Sequence, residues 1–211
     1  MKITLPESIA DVALHQFQKY DELLKREDLS FDQFNKRKIN IFTGIAMRDV
    51  NSIIEKDYKL ILDSIDKALN EASGFQPIFN IQDVEFGFIP NFDNITMAEY
   101  RDITEYSKEM KDFHKLMAVL FRPVIKKDSF NNYKIEKYNG TSKRADVMKY
   151  MPMSVVNGAL VFFSSLANEL VSYTAKYMVV EQAREEAHQT TLKNGGGMQR
   201  LKNWLKAKFG K

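Results

Sequence analysis

The sequence has no cysteine among its 211 residues. That excludes disulfides, thiolate zinc sites, iron–sulfur clusters and cysteine nucleophiles, and it fits a reducing compartment. Glycine and proline are sparse, at 9 and 5 residues, so the composition is that of an ordinary globular protein. Only Gly195–Gly197 reads as a linker. Neither sign of charge dominates: 31 basic residues face 28 acidic ones. That balance is too even for a dedicated nucleic-acid binder. The most apolar run, "MPMSVVNGALVFFSSLANELV", is interrupted by Pro152, Asn157, Asn168 and Glu169. It falls short of the roughly 20 apolar residues of a bilayer span and reads as a buried helix. The opening "MKITLPESIADVALH" carries a proline and acids where a secretory leader needs an apolar core, so a cytoplasmic protein is expected.

What is present is mostly helical periodicity. Apolar residues at Val12, Ala13, Phe17, Tyr20 and Leu24 predict a helix over about 11–26. "SFDQ" offers Ser30 and Gln33 as a capping box for a second helix, which carries Phe34, Lys38, Ile41 and Phe42 and ends near Gly44. Ser52 and Glu55 predict another capped helix with Tyr58, Ile61, Leu62, Ile65, Leu69 and Ala72 on one face, stopped by Gly74. "FQPIFNIQDVEFGFIPNFDN" alternates apolar residues between turn formers and reads as one or two short strands. Thr96 and Glu99 open a further helix, and "MKDFHKLMAVLFR" a further one, which Pro123 should end. "NNYKIEKYNG" reads as a short strand with a turn at Asn139–Gly140, and a long helical stretch from about 145 to 193 is restarted or kinked at Pro152. The expected fold is mainly α with a small β element: a compact body over residues 1–193 and a flexible basic tail over 194–211.

Residues with reactive side chains are scattered. His15, His114 and His188 fall on three different predicted helices, and none has a second ligand at metal-binding spacing. No glycine-rich phosphate loop and no nucleophile elbow occurs. Glu99, Asp102 and Glu105 can share one helix face, but Arg101 and Lys108 stand beside them, and acids near a helix start are favoured by its dipole. The residues thus predict no catalytic site, no metal and no cofactor. Phe86, Phe88 and Phe92 in "FGFIPNF" form an aromatic group with no basic residue between Lys67 and Arg101, so a core-facing or partner-facing role is expected rather than base stacking. Met148 and Met151, flanked by Lys149 and Tyr150, are expected at a surface, while Met117 and Met153 read as core. Arg122, at the expected end of its helix, is predicted to be structural, reaching free carbonyls and a nearby acid, with Pro123 as the helix stop. In the tail, Leu201, Trp204, Leu205 and Phe209 gather with Met198 on one side of a basic helix. Docking on a protein partner or on another copy of the chain is favoured there over a membrane, and a membrane over nucleic acid.

Four stretches in this order, "ITLPESIADVALHQFQKY", "DVEFGFIPNFDNITMAEYRDI", "FHKLMAVLFRPV" and "YKIEKYNG" followed by "VMKYMPMSVVNGALVFFSSLANEL", resemble a small protein of tailed-bacteriophage structural gene clusters. The family is that of tail assembly chaperones. The resemblance implies a non-enzymatic protein in the host cytoplasm that holds the tape measure protein, recruits tail tube subunits and then leaves, often with a longer frameshifted form. A head–tail connector or ring subunit that stays in the virion is the alternative from another class. A membrane- or nucleic-acid-binding accessory protein acting through the tail is a further one.

Overall fold

The computed structural model describes residues 4–130 and 132–164. The chain divides into two compact units, Met1–Val161 and Phe162–Lys211, and nearly all described residues belong to the first. The expected hinge at Gly195–Gly197 and the tail residues Leu201, Trp204, Leu205 and Phe209 lie outside the described residues. The fold is mainly α with one small antiparallel sheet. Helices α1 (Leu14–Leu24), α2 (Phe31–Thr43), α3 (Met47–Val50) and α4 (Glu55–Leu69) come first, followed by strands β1 (Ile78–Ile81) and β2 (Val84–Phe88). Then follow α5 (Met97–Tyr106), α6 (Phe113–Leu120), β3 (Phe121–Lys127), β4 (Tyr133–Ile135), α7 (Ala145–Met148) and a helical segment at residues 153–164.

Local capping chemistry sets several of these boundaries. The Ser30 hydroxyl accepts from the Gln33 N–H at 3.2 Å while the Gln33 side chain accepts from the Ser30 N–H at 3.1 Å. That box opens α2, and Gly44 closes it at φ 73°, the left-handed conformation glycine adopts without penalty. Other boundaries differ from the pattern-based expectation. Ser52 caps nothing: α4 starts at Glu55 behind Ile54, because Ser52 is held in the turn that ends α3 by its N–H bond to the Asp49 carbonyl. The same helix stops at Leu69, five residues short of Gly74. The buried face of α4 is Ile61, Ile65 and Ala68. Helix α1 starts at Leu14 because Val12 and Ala13 are extended and paired with the segment around Pro152.

The sheet is a four-stranded meander in the order β1-β2-β3-β4. Its first turn, Gln82–Asp83, places Gln82 at φ 53°. Helix α6 ends at Leu120, three residues before Pro123, because Phe121 is drawn into the ladder opposite Phe88. Pro123 is therefore a strand residue. The Ile89 N–H bonds the Leu120 carbonyl, which makes Gly87–Arg122 the hydrogen-bonded pair and Phe86–Pro123 a non-bonded one. The missing proline N–H thus faces away from β2, where its absence costs no bond to that strand.

Two glycines mark close approaches. A Cβ on Gly87 would lie 2.5 Å from the Tyr133 ring, which crosses over β3 and donates its hydroxyl to the Phe88 carbonyl at 2.9 Å. A Cβ on Gly158 would lie 2.3 Å from the carbonyl oxygen of Gly74. Gly74 is thus packed against Gly158 rather than stopping α4. The N-terminal end of the described chain is clasped to the same region: the N–H groups of Leu14 and His15 bond the carbonyls of Met151 and Lys149, and the Met153 N–H bonds the Val12 carbonyl.

Gly158→Ala should cost about 1–3 kcal/mol, the range for forcing atoms into a packed site, read as a lowered melting temperature. A variant melting like the parent would refute the close approach. Gln82→Gly should stabilise by about 0.5–1 kcal/mol, since relief of the left-handed side chain exceeds the entropy cost of glycine. A fall in melting temperature would count against that turn geometry.

Candidate functional site

Because successive strand residues point to opposite faces, β3 sends Phe121 to one side and Arg122 to the other. On the first side Phe121 meets Phe79 at 5.1 Å and Phe88 at 5.0 Å between ring centroids, and Phe79 stacks on Phe86 at 5.6 Å. Phe86 and Phe88 are buried, 1% and 2% exposed, so they form the core and offer no partner surface. Period-2 placement in "VEFGF" puts both on one face, and that face is the inner one. Phe92 is half-buried, with its ring 5.5 Å from Phe88. Met148 and Met151 correct the surface expectation: both are fully buried. Spaced i, i+3 around the turn after α7, they point inward together, while Tyr150 between them points outward. Met117 and Met153 are core.

On the other side the Arg122 guanidinium forms an ion pair with Glu99 Oε1 at 2.7 Å, with both residues buried. The second oxygen, Glu99 Oε2, accepts from the Thr96 N–H and the Thr96 hydroxyl, each at 2.7 Å. One carboxylate thus completes the capping box of α5 and neutralises the arginine. Arg122 Nε is buried without a hydrogen-bond partner. The guanidinium carbon lies 5.7 Å from the centre of the Tyr138 ring, whose negative face opposes the cation. The Tyr138 hydroxyl donates to Asp102 Oδ2 at 2.5 Å, and Asp102 Oδ1 accepts from Arg101 Nε at 3.1 Å. Burial first, then the hydrogen bond and charge of Asp102, push the Tyr138 phenol well above the usual tyrosine range. Of the three acids on α5, two converge on Arg122 and Tyr138. Glu105 instead pairs with Lys108 at 2.6 Å at the surface.

Two of the histidines, far apart in sequence, line one cleft of about 440 Å³ together with Gln18, Lys19, Glu22, Lys111, Lys149 and Tyr150. Its walls are cross-linked. Gln18 Nε2 donates to the carbonyls of Met110 and Lys111, each at 2.9 Å, and faces His114 Nδ1 at 3.1 Å. The two carbonyls fix the orientation of the Gln18 amide. His15 donates both its backbone N–H, at 2.8 Å, and Nδ1–H, at 2.9 Å, to the Lys149 carbonyl. No sequence spacing signals this convergence, because the residues come from three separate segments. Among the described residues no group of three or more His, Asp or Glu is placed to hold a metal ion, and no helix is long and apolar enough to cross a membrane.

Burial, then the charges of Lys149 and Lys115, hold the His114 pKa below the ordinary histidine value. The folded state therefore excludes a proton that the unfolded chain accepts. The stability from the neutral ring is present above about pH 6.5 and is lost as pH falls through the lowered value. An NMR titration should place the His114 midpoint below about 6.5, and His114→Gln should flatten the loss of stability between about pH 7 and 5. A midpoint above that value would refute the assignment. Arg122→Ala, which strands Glu99 in the interior, should cost about 3–5 kcal/mol in a denaturant melt. A loss under about 1 kcal/mol would mean the pair is solvated.

Comparison with family models, with curated proteins and with solved structures finds no match for this chain.

Proposed function

We propose that the chain is a non-enzymatic phage morphogenesis protein of the tail-assembly-chaperone kind, acting in the cytoplasm of the infected cell on the tape measure protein, on tail tube subunits or on both. The observation that carries the reading is the set of four stretches that resemble that family. Three of them meet in space: Thr96, Glu99 and Asp102 from the second, Arg122 from the third and Tyr138 from the fourth form a network centred on the buried Glu99–Arg122 pair. The first stretch is clasped to the last through Val12, Leu14 and His15. These are the residues a shared fold would need to keep together.

Binding must then use side chains other than the buried Phe86, Phe88, Met148 and Met151. Several large apolar residues supply them. Phe31 is 81% exposed at the start of α2, and Met97, at 79%, sits one turn from the exposed Tyr100 on the outer face of α5. Such side chains suit a holder of long apolar helices, as methionine and aromatic rings adapt to several partners.

Co-expression with the tape measure and tail tube proteins of the same gene cluster should give a complex that co-purifies, and purified virions should lack the chain. Stoichiometric recovery from virions would replace this reading with a connector or ring subunit. Deleting residues 195–211 should lower partner recovery and leave liposome flotation unchanged. Unchanged recovery with lost flotation would move the tail to a membrane role.

A further inference from the structure

We propose that Asn139 is a site of spontaneous deamidation in the folded chain, and that the product lengthens the main chain between the Tyr138 network and α7. Asparagine followed by glycine is the pairing most open to this reaction, because glycine has no side chain to shield its backbone nitrogen. The described residues contain two such pairs, Asn139–Gly140 and Asn157–Gly158, and the fold treats them differently. Asn139 and Gly140 are both exposed and lie outside helix and strand. Nothing stands within 4 Å of where a Cβ on Gly140 would be, so its nitrogen is approached freely. Among the described residues neither the Asn139 amide nor the Gly140 N–H has a hydrogen-bond partner. Asn157 sits instead inside the helical segment 153–164, followed by a buried Gly158 with the Gly74 carbonyl against it. A helix fixes both dihedrals of each residue and engages the backbone N–H that would have to attack. The third pair, Asn194–Gly195, lies outside the described residues.

The reaction needs water and no other reagent. The Gly140 nitrogen, having lost its proton to solvent, bonds to Cγ of Asn139. The Cγ–Nδ2 bond breaks, and the amide nitrogen takes up a proton and leaves as ammonia. One water then opens the cyclic imide at either carbonyl, so an amide and a water become a carboxylic acid and ammonia. Opening at Cγ gives aspartate. Opening at the main-chain carbonyl gives isoaspartate, whose backbone runs through Cβ and Cγ and is one atom longer. Both flanks of that extra atom are anchored. The Tyr138 hydroxyl is held by Asp102 at 2.5 Å with its ring over Arg122. Thr141 is buried, and its carbonyl accepts from the N–H groups of Arg144 and Ala145 at 2.9 Å each, at the start of α7. The added length therefore displaces one anchor or the other, and the loss of ammonia makes the change one-way.

The test is peptide mapping by mass spectrometry after incubating the folded full chain in mildly alkaline and mildly acid buffer. Trypsin, cutting after Lys137 and Lys143, isolates Asn139 from Asn157. Conversion at Asn139 should outpace that at Asn157 by about tenfold or more, since Asn157 reacts only when its helix opens. The Asn139 reaction should slow in acid, where the attacking nitrogen keeps its proton, and the gap between the sites should close in denaturant. Equal rates at the two sites in the folded chain would overturn the proposal. So would an Asn139 that stays an amide while a free peptide of residues 138–143 converts. The isoaspartyl fraction, separated by ion exchange, should melt below the parent, whereas Asn139→Asp, which adds the charge without the backbone atom, should melt closer to it. An isoaspartyl fraction that melts with the parent would overturn the lengthening of an anchored link.

Discussion

Glu99 and Arg122 face each other at 2.7 Å with almost no access to water, and the sheet side of the molecule is organised around that contact. Removing two charges from water costs several kcal/mol per ion, so the pair is not a large net source of stability. Its importance lies in what happens when one half is missing. A lone buried carboxylate or guanidinium must then be carried by the interior, at a cost of about 3–5 kcal/mol. The geometry avoids this by using every oxygen: Oε1 takes the arginine and Oε2 takes two bonds from Thr96. The start of α5 is therefore fixed relative to β3, because one side chain serves both.

That fixed point propagates. Arg122 pairs with Gly87 across the ladder, and Gly87 is bare so that Tyr133 can cross to the Phe88 carbonyl. Tyr138 covers the guanidinium and ties itself to Asp102, one turn along α5. On the opposite face the same strands carry the phenylalanine cluster. Phe86, Gly87 and Phe88 of β2 and Phe121 and Arg122 of β3 are buried, and Phe86 and Phe88 are consumed in holding the sheet.

Features that depend on neighbours in sequence were legible, and features that depend on tertiary contact were not. The Ser30–Gln33 and Thr96–Glu99 boxes and the Gly44 stop appear as read, since each closes within one helical turn. Ser52 and Glu55 have the same spacing, but the preceding turn holds Ser52. Gly74 looks like a stop signal and is instead the floor beneath Gly158. A structural Arg122 with an acid partner was visible. Its place in a strand was not, because the pull of the β2 ladder on Phe121 outweighs the helical pattern of "KLMAVL". The inward pair Met148 and Met151 was misread from its polar neighbours, which point the other way. The meeting of His15 with His114 has no local signal at all.

The account stands most directly on the coupling between Glu99 and Arg122, which a double-mutant cycle of Glu99→Gln and Arg122→Met measures by denaturant unfolding. The double variant should be more stable than the sum of the two single losses implies, by about 1–3 kcal/mol, because it leaves no uncompensated charge. Single losses that add to within about 0.5 kcal/mol would contradict the account, showing that α5 and β3 are held together by something other than this pair.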